Sequence, residues 1–165
     1  MLVADPSAKV SPLADIDQST RGTRILVGPQ SQIDSFVRVK CAGGTADVVI
    51  GKGCYINSGT VIYTGNGLTM GDHVLVAANC TFAPVNHACR ERGRTIIEQR
   101  FLPGKGGIVI GDDVWIGAGV IVLKGVRIGH RAIIGAGALI AADVADDMVI
   151  PAGTVLRRIK EVPTA

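Results

Sequence analysis

The chain has 165 residues, net charge +3 and a composition that is 47% hydrophobic but only 4% aromatic, with 22 glycines. One domain is the natural expectation at this length, the charge is too weak to point to nucleic acid, and no run of 18 uncharged apolar residues offers a membrane span. Val, Ile, Ala and Gly in place of Phe and Leu suit a narrow prism walled by thin β layers.

Residues 1–15 carry Pro6, Pro12 and mixed polar residues and read as a lead-in. No charged segment followed by an apolar one opens the chain, so a cytoplasmic protein without a signal peptide is expected. Ile16-Asp17 begins a degenerate six-residue block. Val27-Gly28 and Ile33-Asp34 begin better ones, and Cys41–Asp47 interrupts them as a surface turn. The period resumes at Ile50-Gly51, Ile56-Asn57 and Ile62-Tyr63, turns at Asn66-Gly67, and continues from Met70, Val76 and Phe82.

Residues 88–107 form the one long break. They hold Arg90, Arg92, Arg94, Arg100 and Lys105 against Glu91 and Glu98, and end in Gly104-Lys-Gly-Gly107. The strongest periodicity follows. Ile110–Leu139 comprises five consecutive blocks opened by Ile110, Ile116, Val122, Ile128 and Ile134, with Val or Ala at every fifth position. Such a period marks a β-helix. First positions are expected to point inward, and three blocks, 18 residues, to make one triangular coil. Glycine at position two is expected to serve turn angles closed to other residues. About five coils are expected between Val27 and Ala145, giving β-helix over 16–145 and a C-terminal extension over 146–165. Cys54 and Cys80 fall at fifth positions and read as inert core thiols in a reducing compartment. His73 and His130 fall on outward turns and read as solvated. Flat faces lined with Val and Ile invite self-association.

From about Val48 to Lys160 the sequence resembles the hexapeptide-repeat acetyltransferases, in the galactoside and maltose O-acetyltransferase branch with its relatives in cell-surface polysaccharide synthesis. The resemblance rests on Tyr55-Ile-Asn57, Met70-Gly-Asp72, Val76-Ala-Ala-Asn79, Asn86-His87, Ile97-Glu-Gln99 and Ile110-Gly-Asp-Asp-Val-Trp-Ile-Gly117. It implies an all-β, left-handed parallel β-helix, against the right-handed crossover that general chirality rules favour. It implies a homotrimer with acetyl-CoA, the acyl donor, lying between neighbouring prisms, and no metal. His87 matches the general base that deprotonates the acceptor for direct attack on the thioester. Asn57 and Trp115 match residues at the acceptor end of the cleft, and Glu98 is a candidate for orienting His87 or touching the acceptor.

Ala118, Ala136, Ala141, Ala142, Arg157 and Lys160 match the cofactor track, small residues for the pantetheine arm and cations for the phosphates. The chain departs from its relatives at Ala141-Ala142-Asp143, where they carry Ser or Thr and then Lys, and at Gly153-Thr-Val-Leu156, where they carry Gly-Asn-Pro-Ala. This leaves Arg157, Arg158 and Lys160 as the cations at that end. The implied reaction is acetyl transfer to a sugar hydroxyl, or alternatively to the amine of a nucleotide-linked amino sugar. The loop's positive charge suits an anionic or nucleotide-linked acceptor. A non-catalytic scaffold, or a zinc enzyme like the γ-class carbonic anhydrases, fits less well. The latter needs three converging histidines, and the close pair is missing.

Overall fold

The computed structural model describes residues 1–157 apart from Pro103 and Lys105. The chain winds as stacked triangular coils. The first holds β1 (Leu2–Ala4), β2 (Lys9–Val10) and β3 (Asp15–Ile16), and the second β4 (Ile25–Val27), β5 (Gln32–Ile33) and β6 (Arg38–Lys40). The third holds β7 (Val48–Ile50), β8 (Tyr55–Ile56) and β9 (Val61–Tyr63). The fourth holds β10 (Leu68–Met70), β11 (Leu75–Val76) and β12 (Thr81–Ala83). A loop carrying α1 (Ile96–Gln99) leads to the fifth coil, β13 (Ile108–Ile110), β14 (Trp115–Ile116) and β15 (Ile121–Leu123). The sixth is β16 (Arg127–Ile128), β17 (Ile133–Ile134) and β18 (Leu139–Ala141), and a partial seventh adds β19 (Val149–Ile150) and β20 (Val155–Arg157).

Up to β18 every third strand joins the same parallel sheet, and β19 and β20 then extend the sheets of β17 and β18, which gives three faces. Face A begins with β1, face B with β2 and face C with β3. The architecture is the left-handed parallel β-helix expected from the sequence.

The hexad maps directly onto burial. First positions Ile110, Ile116, Val122, Ile128 and Ile134 are buried, as are fifth positions Val114, Val120, Val126, Ala132 and Ala138. They stack in register between coils: Met70 pairs with Ile50 on one side and Ile110 on the other. Each buried aliphatic side chain contributes about 1.5–3 kcal/mol. Cys54 and Cys80 occupy the same inward column, and burial pushes both thiols upward in pKa, as inert core thiols require.

The glycine expectation is corrected. Left-handed backbone occurs at position four of the corners, where Gly53, His73, Asp113 and Arg131 all have positive φ. Position-two glycines are needed for close approach instead. A Cβ on Gly117 would stand 2.6 Å from the Ala136 nitrogen of the next coil. The recurring aspartate at position three also acquires a reason. On the edge between faces A and B, Asp72 Oδ1 accepts from Lys52 N–H (2.7 Å), Asp112 Oδ1 from Asp72 N–H (2.8 Å) and Asp146 Oδ1 from His130 N–H (2.9 Å). Side chains of one coil thus satisfy corner amides of the coil beneath. His130 joins this ladder by accepting the Asp112 N–H at 3.0 Å, so it is not merely solvated.

Both ends are corrected too. Residues 1–15 are no lead-in but most of a coil, with Ala8, Val10 and Ala14 packed on the core. An end coil has a neighbour on one side only, so small residues and prolines are tolerated and the period is masked. Past Ala145 the coil continues through β19 and β20, after Val144 bridges Ile128. A corner shortened to a 16-residue repeat hides it there. The 18-residue coil is confined to the later part. Equivalent corner residues are 23 apart at Arg24 and Asp47, 20 at Lys52 and Asp72, 40 at Asp72 and Asp112, and 18 at Asp112 and His130. The surplus falls on one edge of the prism, where face C returns to face A: residues 17–24, 41–47, 64–67 and 84–107.

Candidate active site

His87 lies four residues past β12, where the chain leaves face C for the long loop. Both strands of the loop's neck meet there. His87 and Phe101 form an antiparallel bridge, flanked by Ala88 N–H to Arg100 O (3.0 Å) and Leu102 N–H to Asn86 O (2.7 Å). The imidazole stacks on the Phe101 ring with centroids 4.6 Å apart and planes inclined by 29°. Its Nδ1 stands 3.0 Å from the Arg100 carbonyl oxygen. A carbonyl can only accept, so Nδ1 holds the hydrogen and Nε2 keeps its lone pair, the form a general base needs. His87 is exposed, so that lone pair is accessible.

The Arg100 carbonyl is aimed by a small helix. Thr95 and Glu98 form a capping box: Thr95 Oγ1 accepts from the Glu98 N–H, and the Glu98 carboxylate accepts from Thr95 N–H (2.8 Å) and hydroxyl (2.9 Å). α1 ends one turn later at Arg100, whose φ of 57° and ψ of −140° redirect the chain. Gln99 bonds Glu91 and Arg94, and Arg94 bonds Glu91 and the Glu98 carbonyl, which fastens the loop to itself. The neck rests on the second coil, because Phe101 and Val85 lie against Gly43.

This corrects the expectation that Glu98 orients His87. Its carboxylate is held by Thr95, whose hydrogen bonds keep it below the usual carboxylate range, and the Arg100 carbonyl orients His87 instead. Neither Arg100 nor Phe101 was singled out from sequence. The Thr95-x-x-Glu98 pattern was the available signal, since a capping box fixes where the helix begins and hence where its C-terminal carbonyls fall.

The remaining candidates divide between the two edges of face C. Asn57 follows β8 on the edge between faces B and C, with Nδ2 donating to the Val76 carbonyl at 2.9 Å. Trp115 stands beside that edge on the outer surface of face B, 51% exposed, between Leu75 and Ile133. Ala118 and Ala136 are exposed at the same edge in the fifth and sixth coils. Ala141 ends β18, Ala142 follows it, and Arg157 pairs with Ala141, all on the His87 side of face C. Lys160 and Arg158 lie outside the described residues. A single chain therefore does not bring His87 and Asn57 together; the width of face C separates them. The three histidines do not converge either. His73 and His130 stand on the edge between faces A and B, the third edge of the prism.

Comparison with known proteins agrees with this architecture. The family model described as the bacterial transferase hexapeptide (six repeats) matches residues 107–142. The galactoside O-acetyltransferase of Escherichia coli is 36% identical over 121 residues, covering 71% of this chain and 55% of that protein. A Saccharomyces cerevisiae protein named provisionally as an acetyltransferase is 32% identical over 154 residues, covering 90% of this chain and 74% of that one. Among solved structures, a variant of the N-acyltransferase AntD from Bacillus cereus, in complex with dTDP and coenzyme A, superposes with a TM-score of 0.71. It is 26% identical, and the match covers 93% of this chain and 81% of that one. The chain spans about half the length of the galactoside O-acetyltransferases it matches. With the repeat, the fold and these likenesses in agreement, the chain belongs to the hexapeptide-repeat acetyltransferase family, in its galactoside O-acetyltransferase-like branch.

Proposed function

We propose that this protein is an acetyl-CoA-dependent acetyltransferase acting on a hydroxyl of a sugar or sugar-containing acceptor, with His87 as general base. The observation that carries this reading is the contact between His87 Nδ1 and the Arg100 carbonyl, which leaves Nε2 ready to accept a proton. The acceptor hydroxyl gives its proton to Nε2 as its oxygen bonds to the thioester carbonyl carbon. Collapse of the tetrahedral adduct breaks the C–S bond, and the proton on Nε2 passes to the departing thiolate. Imidazole suits both transfers because it titrates near neutrality.

The active site is proposed to lie between two copies in a homotrimer. His87 and Arg157 border one side of face C, and Asn57, Trp115, Ala118 and Ala136 the other. A three-fold ring about an axis parallel to the prism sets one edge of each chain against the other edge of its neighbour. Exposed Ile121 and Val155 on face C supply apolar area for the contact. The exposed Ala118 and Ala136 leave room for a pantetheine arm to run along the backbone, and Arg157 offers a cation to its phosphates. Four free thiols support a reducing, cytoplasmic setting.

A second reading, N-acetylation of a nucleotide-linked amino sugar, is favoured by exposed Arg90 and Arg92 in the loop and by the likeness to AntD, which was solved with dTDP. Thiol release from acetyl-CoA, followed with sugars, amino sugars and nucleotide sugars as acceptors, tests both. His87→Ala should lower turnover by roughly 10²–10⁴-fold with the fold and assembled mass unchanged. Near-normal turnover in that variant would overturn the mechanism.

A further inference from the structure

The outer corner between faces B and C repeats from coil to coil, and from the second coil upward its fourth position takes left-handed backbone. Gly59, Asn79, Gly119, Gly137 and Gly153 occupy it from the third coil upward, residues that tolerate it. In the second coil the residue is Phe36, with φ 63° and 67% exposure. A bulky ring in this conformation is disfavoured, and so is leaving it in water. Beneath it, Leu13 is 59% exposed and its carbonyl accepts the Phe36 N–H at 3.0 Å.

Two residues earlier stands Asp34, directly below Asn57 in the stacked column, since Ile33 pairs with Ile56. Its carboxylate is fixed by Ser35 N–H and Ser58 hydroxyl, both at 2.8 Å. A carboxylate has about four acceptor sites, so two are left for a ligand. The edge thus changes character with height. Above Asn57 it is a smooth Ala and Gly track, and below Asn57 it carries an oriented carboxylate and an exposed aromatic ring.

We propose that Asp34 and Phe36 form the acceptor subsite, completing the site around His87 of the neighbouring chain, and that they select a pyranose ring. This rests on the edge-to-edge trimer and the donor track described above. Copies related by an axis parallel to the prism keep their coils at equal height. The neck that carries His87 leaves the fourth coil and reaches down to Gly43, which follows β6 of the second coil, so the His87 side of the cleft extends towards the level of Asp34 and Phe36. With the acyl donor along the upper track, the acceptor occupies the space below Asn57. A pyranose matches what is offered there. Its C–H face lies flat on the Phe36 ring, and ring hydroxyls donate to Asp34, while an open-chain polyol lacks the flat face.

The test replaces Phe36 by Asn, the residue found at the equivalent corner of the fourth coil, where Asn79 has φ 60°. Phe36→Tyr serves as the conservative control. With methyl galactopyranoside as acceptor, Phe36→Asn should raise the acceptor KM by about tenfold. Phe36→Tyr should stay within about twofold. The KM for acetyl-CoA and the assembled mass should not change, and turnover with galactitol, an open-chain polyol, should be the same in Phe36→Asn as in the unchanged protein. Calorimetric titration of the pyranoside into His87→Ala protein gives a readout independent of turnover, and the added Phe36→Asn change should weaken that binding. An unchanged pyranoside KM, no pyranoside binding to His87→Ala protein, or dissociation of Phe36→Asn into monomers would each overturn the subsite. Full activity of His87→Ala would instead defeat the catalytic reading, and the titration would still decide the role of Phe36.

Discussion

Replacing Gly43 with Ala tests how firmly the second coil holds His87, a residue remote in sequence. A Cβ on Gly43 would lie 3.0 Å from Phe101 Cδ1 and 3.1 Å from Cγ, and would overlap a Val85 methyl outright. Unstrained carbon contacts sit near 3.5–4.0 Å, so the Phe101 ring must retreat by roughly 0.5–1 Å. The imidazole stacks on that ring and shares its backbone bridge, so it moves as well. Displacing a catalytic group by about 1 Å lowers rate by roughly 10²-fold. Gly43 also has φ +78°, which costs Ala about 1–2 kcal/mol of stability, a tolerable fraction of roughly 5–15 kcal/mol. Thiol-release kinetics should show kcat down by about 10- to 100-fold with the acetyl-CoA KM unchanged, and a thermal melt should show a folded protein. Phe101→Ala alone should lower kcat by about 2- to 10-fold through loss of the stack. In that background Gly43→Ala should lower kcat less than it does alone, because the ring it displaces is gone and only the Val85 contact remains. A kcat within twofold of wild type for Gly43→Ala, or fully multiplicative effects in the double variant, would refute this account of how His87 is positioned.

Two further predictions concern the core and the donor track. Phe82 is fully buried on face C between Ile62 and Val122, and is the only aromatic ring in the core among the described residues. Phe82→Ala should cost about 3–5 kcal/mol in denaturant unfolding, and a loss under about 1 kcal/mol would show that the prism collapses around the gap. Arg157→Ala should raise the acetyl-CoA KM several-fold with kcat little changed, and an unchanged KM would remove it from the donor track.

Much of the fold was legible in the hexads because they record a burial rule: first and fifth positions face inward, and the residues obey it from Ile25 to Ile140. The ends were not legible, since Ala8 and Val10 pack against a neighbour on one side only and the aliphatic requirement is relaxed. The site was half legible. His87, Asn57 and Trp115 stand out by motif. The partners that hold His87 do not, because one is a backbone carbonyl at Arg100 and the other, Phe101, comes near only when the loop closes. Glu98 attracted notice as a charge, yet its work is to start the helix that aims that carbonyl.

By itself the sequence determined the repeat, the inward ladders, the break before Ile108 and the family resemblance, all features readable along one dimension. Tertiary structure alone decided which edge of the prism each residue occupies. That depends on the summed lengths of all preceding corners, which run from 16 to 40 residues per coil. It put His87 and Asn57 on opposite sides of face C, reassigned the position-two glycines from turning to close packing, and set Asp34 and Phe36 beneath Asn57. Stacking of coils creates those neighbourhoods, and no local spacing encodes them.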